Sequence, residues 1–172
     1  FTTTNDLIKE GSSNYYKYAI GIKTGYTGAA KNCLVGGAEK DGVKLITVIF
    51  GANGWKELRT YTVNMFEYAF SILRAEPLTT SGSIVESITI SNGVKGENTL
   101  NLLAENTLYA TVHKMEDVDT SNPTIVFHET QKFKAPITQG TIVGTVSYDI
   151  NGKTYTTNLI AGNSIEERET II

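Results

Sequence analysis

The stretch Ala19-Ile20-Gly21-Ile22-Lys23-Thr24-Gly25-Tyr26-Thr27 decides how this chain is read. Apolar and β-branched residues run into a Lys-Thr-Gly triplet, which predicts a strand over residues 18–24 with a cation, a hydroxyl and a Cβ-free backbone position at its end. A carboxylate ligand can use all three. The ammonium supplies charge, the hydroxyl a directional hydrogen bond, and the glycine lets a peptide backbone lie close alongside. Taken alone, three letters also describe a strand that simply runs into a turn.

Working outward, residues 32–38 and 43–50 read as two further strands. Lys40-Asp41-Gly42 joins them as a hairpin turn, because Asp-Gly tolerates positive φ. The three strands predict one antiparallel unit. Gly51-Ala52-Asn53-Gly54 breaks the last strand, and Asn53 or Gly54 caps a helix over residues 55–74. In that helix Leu58, Met65, Ala69 and Ile72, with Phe66, Phe70 and Leu73, recur at steps of three and four, so one face is expected to cover the strands as core. The polar run at 5–16, with Gly11-Ser12-Ser13-Asn14, reads as a loop.

Glu76-Pro77-Leu78-Thr79-Thr80-Ser81-Gly82 is linker-like, since Pro stops the helix and small polar residues follow. The expected domains are therefore 1–75 and 76–172. Short alternating runs at 83–90, 99–103, 108–113, 124–129, 141–150 and 153–160 predict a small all-β sandwich or open barrel, with Asn92-Gly93 and Asn151-Gly152 as tight hairpin turns. Residues 165–172 carry Glu166, Glu167, Arg168 and Glu169 and read as the start of a helix.

Bulk properties narrow the class. A hydrophobic share of 40% and a charged share of 19% describe an ordinary folded chain, and no run reaches the roughly 18 apolar residues of a spanning helix. The single cysteine, Cys33, excludes an intrachain disulfide and reads as a buried structural thiol in an apolar run. The net charge of -3 is uneven: residues 1–75 hold 9 Lys and Arg against 6 Asp and Glu, and residues 76–172 hold 6 against 12. A basic first part suits an anionic substrate, and an acidic tail argues against nucleic acid. His113 and His128 have no second ligand at zinc spacing, and Glu116, Asp117 and Asp119 near Asn122-Pro123 read as a solvated turn, so no metal or cofactor is expected.

Lys-Thr-Gly is the last of three signatures of the active-site serine penicillin-binding proteins and β-lactamases, after S-x-x-K and S-D-N. Around it stand Thr2-Thr3-Thr4-Asn5 with Leu7, then Ala30, Cys33-Leu34-Val35 and Leu45-Ile46-Thr47-Val48-Ile49-Phe50-Gly51. This succession resembles the closing third of the catalytic domain of a D-alanyl-D-alanine carboxypeptidase of the low-molecular-mass penicillin-binding protein family, and the β-rich tail resembles that family's C-terminal domain. The likeness covers nearly the whole chain and is most specific between Phe1 and Gly51. It implies an α+β fragment of a penicillin-binding, β-lactamase-like catalytic domain, antiparallel strands plus one C-terminal helix, followed by a small all-β sandwich.

The resemblance also implies roles. Lys23 and Thr24 would hold the terminal carboxylate of a peptidoglycan stem peptide ending in D-Ala-D-Ala, or of a β-lactam that mimics it. Gly25 would admit the substrate antiparallel to the strand edge, and the backbone N–H of Tyr26 would be the second oxyanion donor. The family often places an Arg at the start of the final helix; Arg59 stands one residue past that position and serves if the loop slips by one, while a solvated helix Arg is the other reading. Where the family shows Ala-Gly, this chain has Ala30-Lys31. No Ser is followed three residues later by Lys, and Ser12-Ser13-Asn14 matches S-x-N only as a decoy close to Lys23. The chain is thus expected to lack the nucleophile and to be inactive alone, within a parent that works outside the cytoplasm at the outer face of the cytoplasmic membrane. The likeness leaves room for a membrane anchor beyond residue 172. A first region without its helical partner is expected to self-associate. The alternative is a non-catalytic cell-surface module that retains the strand.

Overall fold

The computed structural model describes residues 3–128 and 133–169. The chain folds as two compact units, Phe1–Ala75 with Thr111–Glu116, and Glu76–Ala110 with Asp117–Ile172. The segment Thr111–Glu116 therefore belongs with the first unit, although the linker-like stretch at 76–82 assigns it to the second.

The first unit opens with a 3-10 turn, Asp6–Ile8, capped by the Asn5 side chain, which accepts from Leu7 N. Three antiparallel strands follow in the order β1-β2-β3: β1 (Ala19–Thr27), β2 (Lys31–Lys40) and β3 (Val43–Ala52). Asp41 (φ 50°) and Gly42 (φ 78°) turn β2 into β3, as their sequence predicts. β1 runs three residues beyond its expected end, so Lys-Thr-Gly lies inside the strand and not at its terminus. Lys31 begins β2 with φ 53°, a left-handed conformation that favours glycine, and this is where the resembled family shows Gly.

The helix α1 (Trp55–Ile72) covers one face of the sheet. Gly54 is its N-cap without a side-chain bond, and Glu57 reaches back to accept from Asn53 N at 3.0 Å. Its buried residues are Leu58, Thr62, Phe66 and Phe70, a strict four-residue step. Met65, expected in the core, is exposed on the flank, because the buried stripe follows the 4-spacing and leaves Met65 to one side. The helix packs close: a Cβ at Gly36 would meet Thr47 Oγ1 at 2.9 Å, Thr62 Cγ2 at 3.1 Å and Phe66 Cζ at 3.3 Å. Leu7, Tyr16, Leu34, Ala38, Val43, Leu58, Phe66 and Phe70 form the core of this unit.

The opposite sheet face is open. Along β3 the alternation holds from Val43 to Phe50, with Val43 and Thr47 buried and Ile46, Val48 and Phe50 exposed by 71%, 50% and 72%, and it breaks at Gly51. Ile20 and Ile22 join them, since a Cβ at Gly37 would touch both and Gly37 pairs with Ile46. Cys33 is half-buried beside this open face, its Sγ within 3.3 Å of Ala30 O, and not the enclosed thiol that the apolar run predicts.

In place of a linker, β4 (Leu73–Thr79) continues directly from α1 and pairs with β7 (Leu108–His113) as a two-stranded sheet. Pro77 lies within β4, which among the described residues belongs to a sheet of two strands, the edge setting in which Pro is found. The second unit is built on a five-stranded antiparallel sheet in the order β5-β6-β10-β9-β8. Its strands are β5 (Ile84–Thr89), β6 (Thr99–Ala104), β8 (Thr124–Phe127), β9 (Ile142–Ile150) and β10 (Lys153–Ala161). Asn151 (φ 52°) and Gly152 (φ 74°) make the expected two-residue turn between β9 and β10. Asn92-Gly93 does not: it lies in the connection between β5 and β6, where Gly93 bridges Glu167. Ile165 and Glu167 lie in isolated β-bridges and not in a helix; residues 170–172, and Glu129 at the end of an expected strand, lie outside the described residues. Among the described residues no helix is long and apolar enough to cross a membrane.

Candidate functional site

β1 is an edge strand of its sheet, so one row of its backbone N–H and C=O groups has no neighbouring strand among the described residues. An extended peptide can add to such an edge by main-chain hydrogen bonds. Register sets which side chains surround that edge. Lys23 pairs with Val35, which pairs with Val48, so Lys23 stands on the open face; Gly25 pairs with Cys33 on that same face. Thr24 pairs with Leu34 and faces the α1 side. The cation and the hydroxyl therefore flank the edge from opposite faces, with the glycine between Thr24 and Tyr26.

Lys23 is exposed, and its ammonium donates to the carbonyl oxygen of Thr24 at 2.7 Å. It is not drawn inward to a buried acid. The Thr24 hydroxyl is hydrogen-bonded to the Thr4 hydroxyl. Tyr26 is 66% exposed.

The segment that brings Thr4 to β1 is held at three successive points. Asn5 is 3% exposed and caps the 3-10 turn, Asp6 pairs with Arg59 at 2.6 Å, and Leu7 is buried in the core. Arg59 also lies 6.0 Å from the Trp55 ring. Its guanidinium is thus engaged with Asp6, and it lines a depression of about 290 Å³ with Leu7, Ser13, Asn14, Tyr15 and Tyr16, none of the triplet residues among them. The structure brings Lys23, Thr24, Gly25 and Tyr26 to one edge and pairs Arg59 with Asp6, two residues after Thr4. Ser12 in the S-x-N match is spent locally, its Oγ accepting from Asn14 N at 3.1 Å. Thr4 is the participant that the sequence reading missed, as a contact across twenty residues leaves no mark in periodicity.

Near this site Tyr16 donates to Glu67 Oε1 at 2.8 Å, and burial together with that carboxylate raises its pKa well above the ordinary phenol value. Among the described residues no group of three or more His, Cys, Asp and Glu side chains is placed to hold a metal ion.

An edge strand bearing Lys-Thr-Gly, backed by a helix and followed by a β-rich unit, is the arrangement of a penicillin-binding protein's closing third. Family matching agrees on both parts: residues 1–54 match "D-alanyl-D-alanine carboxypeptidase" and residues 75–167 match "Penicillin-binding protein 5, C-terminal domain". The chain belongs to the D-alanyl-D-alanine carboxypeptidases of the low-molecular-mass penicillin-binding protein family. It is 31% identical over 150 residues to the D-alanyl-D-alanine carboxypeptidase DacF of Bacillus subtilis (strain 168), covering 87% of this chain and 36% of that one. Among solved structures, the D-alanyl-D-alanine carboxypeptidase DacD from Francisella tularensis matches with TM-score 0.53 and 26% identity over 96% of this chain and 39% of its own. A peptidoglycan synthesis regulatory factor (PBP3) from Streptococcus pneumoniae shares the fold at TM-score 0.74 and 21% identity, over 96% of this chain and 48% of its own. The chain spans less than half the length of each of these relatives.

Proposed function

We propose that this chain is the C-terminal portion of a serine-type D-alanyl-D-alanine carboxypeptidase, which removes the terminal D-Ala from peptidoglycan stem peptides and is acylated by β-lactams. Residues 1–75 would be the closing part of the catalytic domain and 76–172 its non-catalytic β-rich domain. The observation that carries this reading is the free edge of β1, where Lys23, Thr24 and Gly25 stand together beside unpaired backbone groups.

In this reading the substrate lies antiparallel to β1. Lys23 gives positive charge from the open face, and Thr24 donates its hydroxyl proton to the terminal carboxylate. Gly25 keeps side-chain bulk away from the peptide. The N–H of Tyr26 is one of two donors to the oxyanion, a contribution typically of roughly 3 to 4 kcal/mol to the barrier. A Ser supplied from outside these residues attacks the penultimate D-Ala carbonyl, the amine of the last D-Ala leaves with a proton, and water then releases the acyl group. Arg59, paired with Asp6, is the further candidate to meet the carboxylate. The parent would work outside the cytoplasm, at the outer face of the cytoplasmic membrane.

Fluorescent penicillin tests this. The full-length gene product that carries these residues is expected to label covalently, and the 172-residue chain is expected to stay unlabelled because it has no S-x-x-K. A full-length product that never labels would overturn the reading. That outcome would favour a non-catalytic cell-surface module that retains the Lys-Thr-Gly strand.

A further inference from the structure

We infer that Thr4 is a positioning residue for Thr24: its hydroxyl donates to Thr24 Oγ1, so that the single Thr24 proton is turned toward a carboxylate lying on the β1 edge. This rests on the carboxylate-binding reading of Lys23, Thr24 and Gly25 given above.

The two hydroxyls are in hydrogen-bond contact, and either can be the donor. A hydroxyl has one proton and two acceptor lone pairs. Were Thr24 to donate to Thr4, it would have nothing left to offer an anion. A carboxylate cannot donate, so a ligand on this edge forces the order Thr4 to Thr24 to carboxylate. Donating and accepting at once polarises the Thr24 hydroxyl and strengthens its bond to the anion.

This order also explains why the residues before β1 are held so firmly. Thr4 is exposed, yet the three residues after it are fixed by a cap, an ion pair and core burial in succession. Thr3 Oγ1 accepts from Asn5 N at 3.1 Å, a bond that spans the Thr4 backbone. A residue whose chain neighbours are fixed in this way is presented without the entropic cost that a free loop residue would add on binding. The Lys23 ammonium, on the Thr24 carbonyl, fixes the backbone of that residue at the same time.

The test uses the full-length gene product and measures second-order acylation rates with a penicillin and with its methyl ester, which lacks the carboxylate. Thr4→Val is expected to slow acylation by the free acid about tenfold, the scale of a charge-assisted hydrogen bond weakened but not lost. It should leave the methyl ester rate within about twofold, since that loss needs the carboxylate. Thr4→Ser restores the rate, and Thr4→Ala repeats the loss with a smaller side chain. In a Thr24→Val background Thr4→Val adds nothing further. The inference is overturned if Thr4→Val slows acid and ester alike, which marks a merely structural contact, or slows neither. Thr24→Val separates the two readings: if it too fails to distinguish acid from ester, the carboxylate reading itself is wrong; if it distinguishes them and Thr4→Val does not, only the role of Thr4 falls.

Discussion

Arg59 Nη2 donates to Asp6 Oδ2 at 2.6 Å, tying the first turns of α1 to the 3-10 turn that precedes β1. Both side chains are about a quarter exposed, so the pair is less screened than a surface ion pair. Removing one partner leaves the other charge partly buried. Arg59→Ala is expected to cost about 1 to 2 kcal/mol, and a double-mutant cycle with Asp6→Asn should show a coupling of about 1 kcal/mol. Urea unfolding followed by Trp55 fluorescence reads both. Additive effects would show that the pair does not act as a tether.

Tyr16 gives the first unit a pH dependence. Its phenol pKa is raised by burial and by the Glu67 carboxylate, so the folded state resists ionisation that the unfolded chain undergoes near pH 10. Its contribution is complete below that pH and is lost as pH rises from there toward the folded-state value. Thermal scans between pH 8 and 11 should show a fall in stability that Tyr16→Phe flattens, at a cost of about 1 kcal/mol at pH 8 for the lost hydrogen bond. An unchanged slope in the Phe variant would contradict this.

Two glycines mark close approaches, Gly144 to the backbone of β8 and Gly36 to side chains of β3 and α1. A Cβ at Gly144 would sit 2.4 Å from Val126 O and 3.0 Å from Phe127 Cα, which forces β8 away from β9. Gly36→Val would push α1 off the sheet through Thr62 and Phe66. Each substitution is expected to destabilise by about 2 kcal/mol or more, in the range of overpacked cores. Circular dichroism melts of the two variants check this, and a variant as stable as the parent would refute the packing described.

The open face of the three-stranded sheet should make the 172-residue chain associate. Ile20, Ile22, Ile46, Val48 and Phe50 form an apolar surface with no cover among the described residues. Sedimentation velocity at rising concentration should show dimers or larger species, and an Ile46→Lys, Phe50→Lys double variant should shift the chain to monomer. A monomer at every concentration would count against it.

Much of this fold is readable because β3 keeps a period of two from Val43 to Phe50, and Asp41-Gly42 and Asn151-Gly152 supply the positive φ that two-residue turns require. The same dipeptide type misleads at Asn92-Gly93. There Asn92 does take φ 60°, but in a longer connection whose path is set by bridges to Lys134 and Glu167. Pro77 signals a linker only when its sheet partner is unknown; β7, thirty residues on, makes it strand. Met65 has the right chemistry for a core position and the wrong angle, since Thr62 takes the place that a hydrophobicity count would leave polar. At the site, Lys23, Thr24, Gly25 and Tyr26 are legible as a motif. Arg59 is not, because nothing in its spacing announces that Asp6, fifty-three residues earlier, already holds it.

The most direct test of the central claim compares two peptides, one ending in D-Ala-D-Ala with a free carboxylate and one with that end as an amide. Release of the last residue by the full-length gene product should favour the free acid by about a hundredfold, the scale of losing both a charge contact and a charge-assisted hydrogen bond. Lys23→Met and Thr24→Val should each collapse most of that preference. A preference that survives in both variants would contradict the assignment of this strand edge as the grip on the peptide's acidic end.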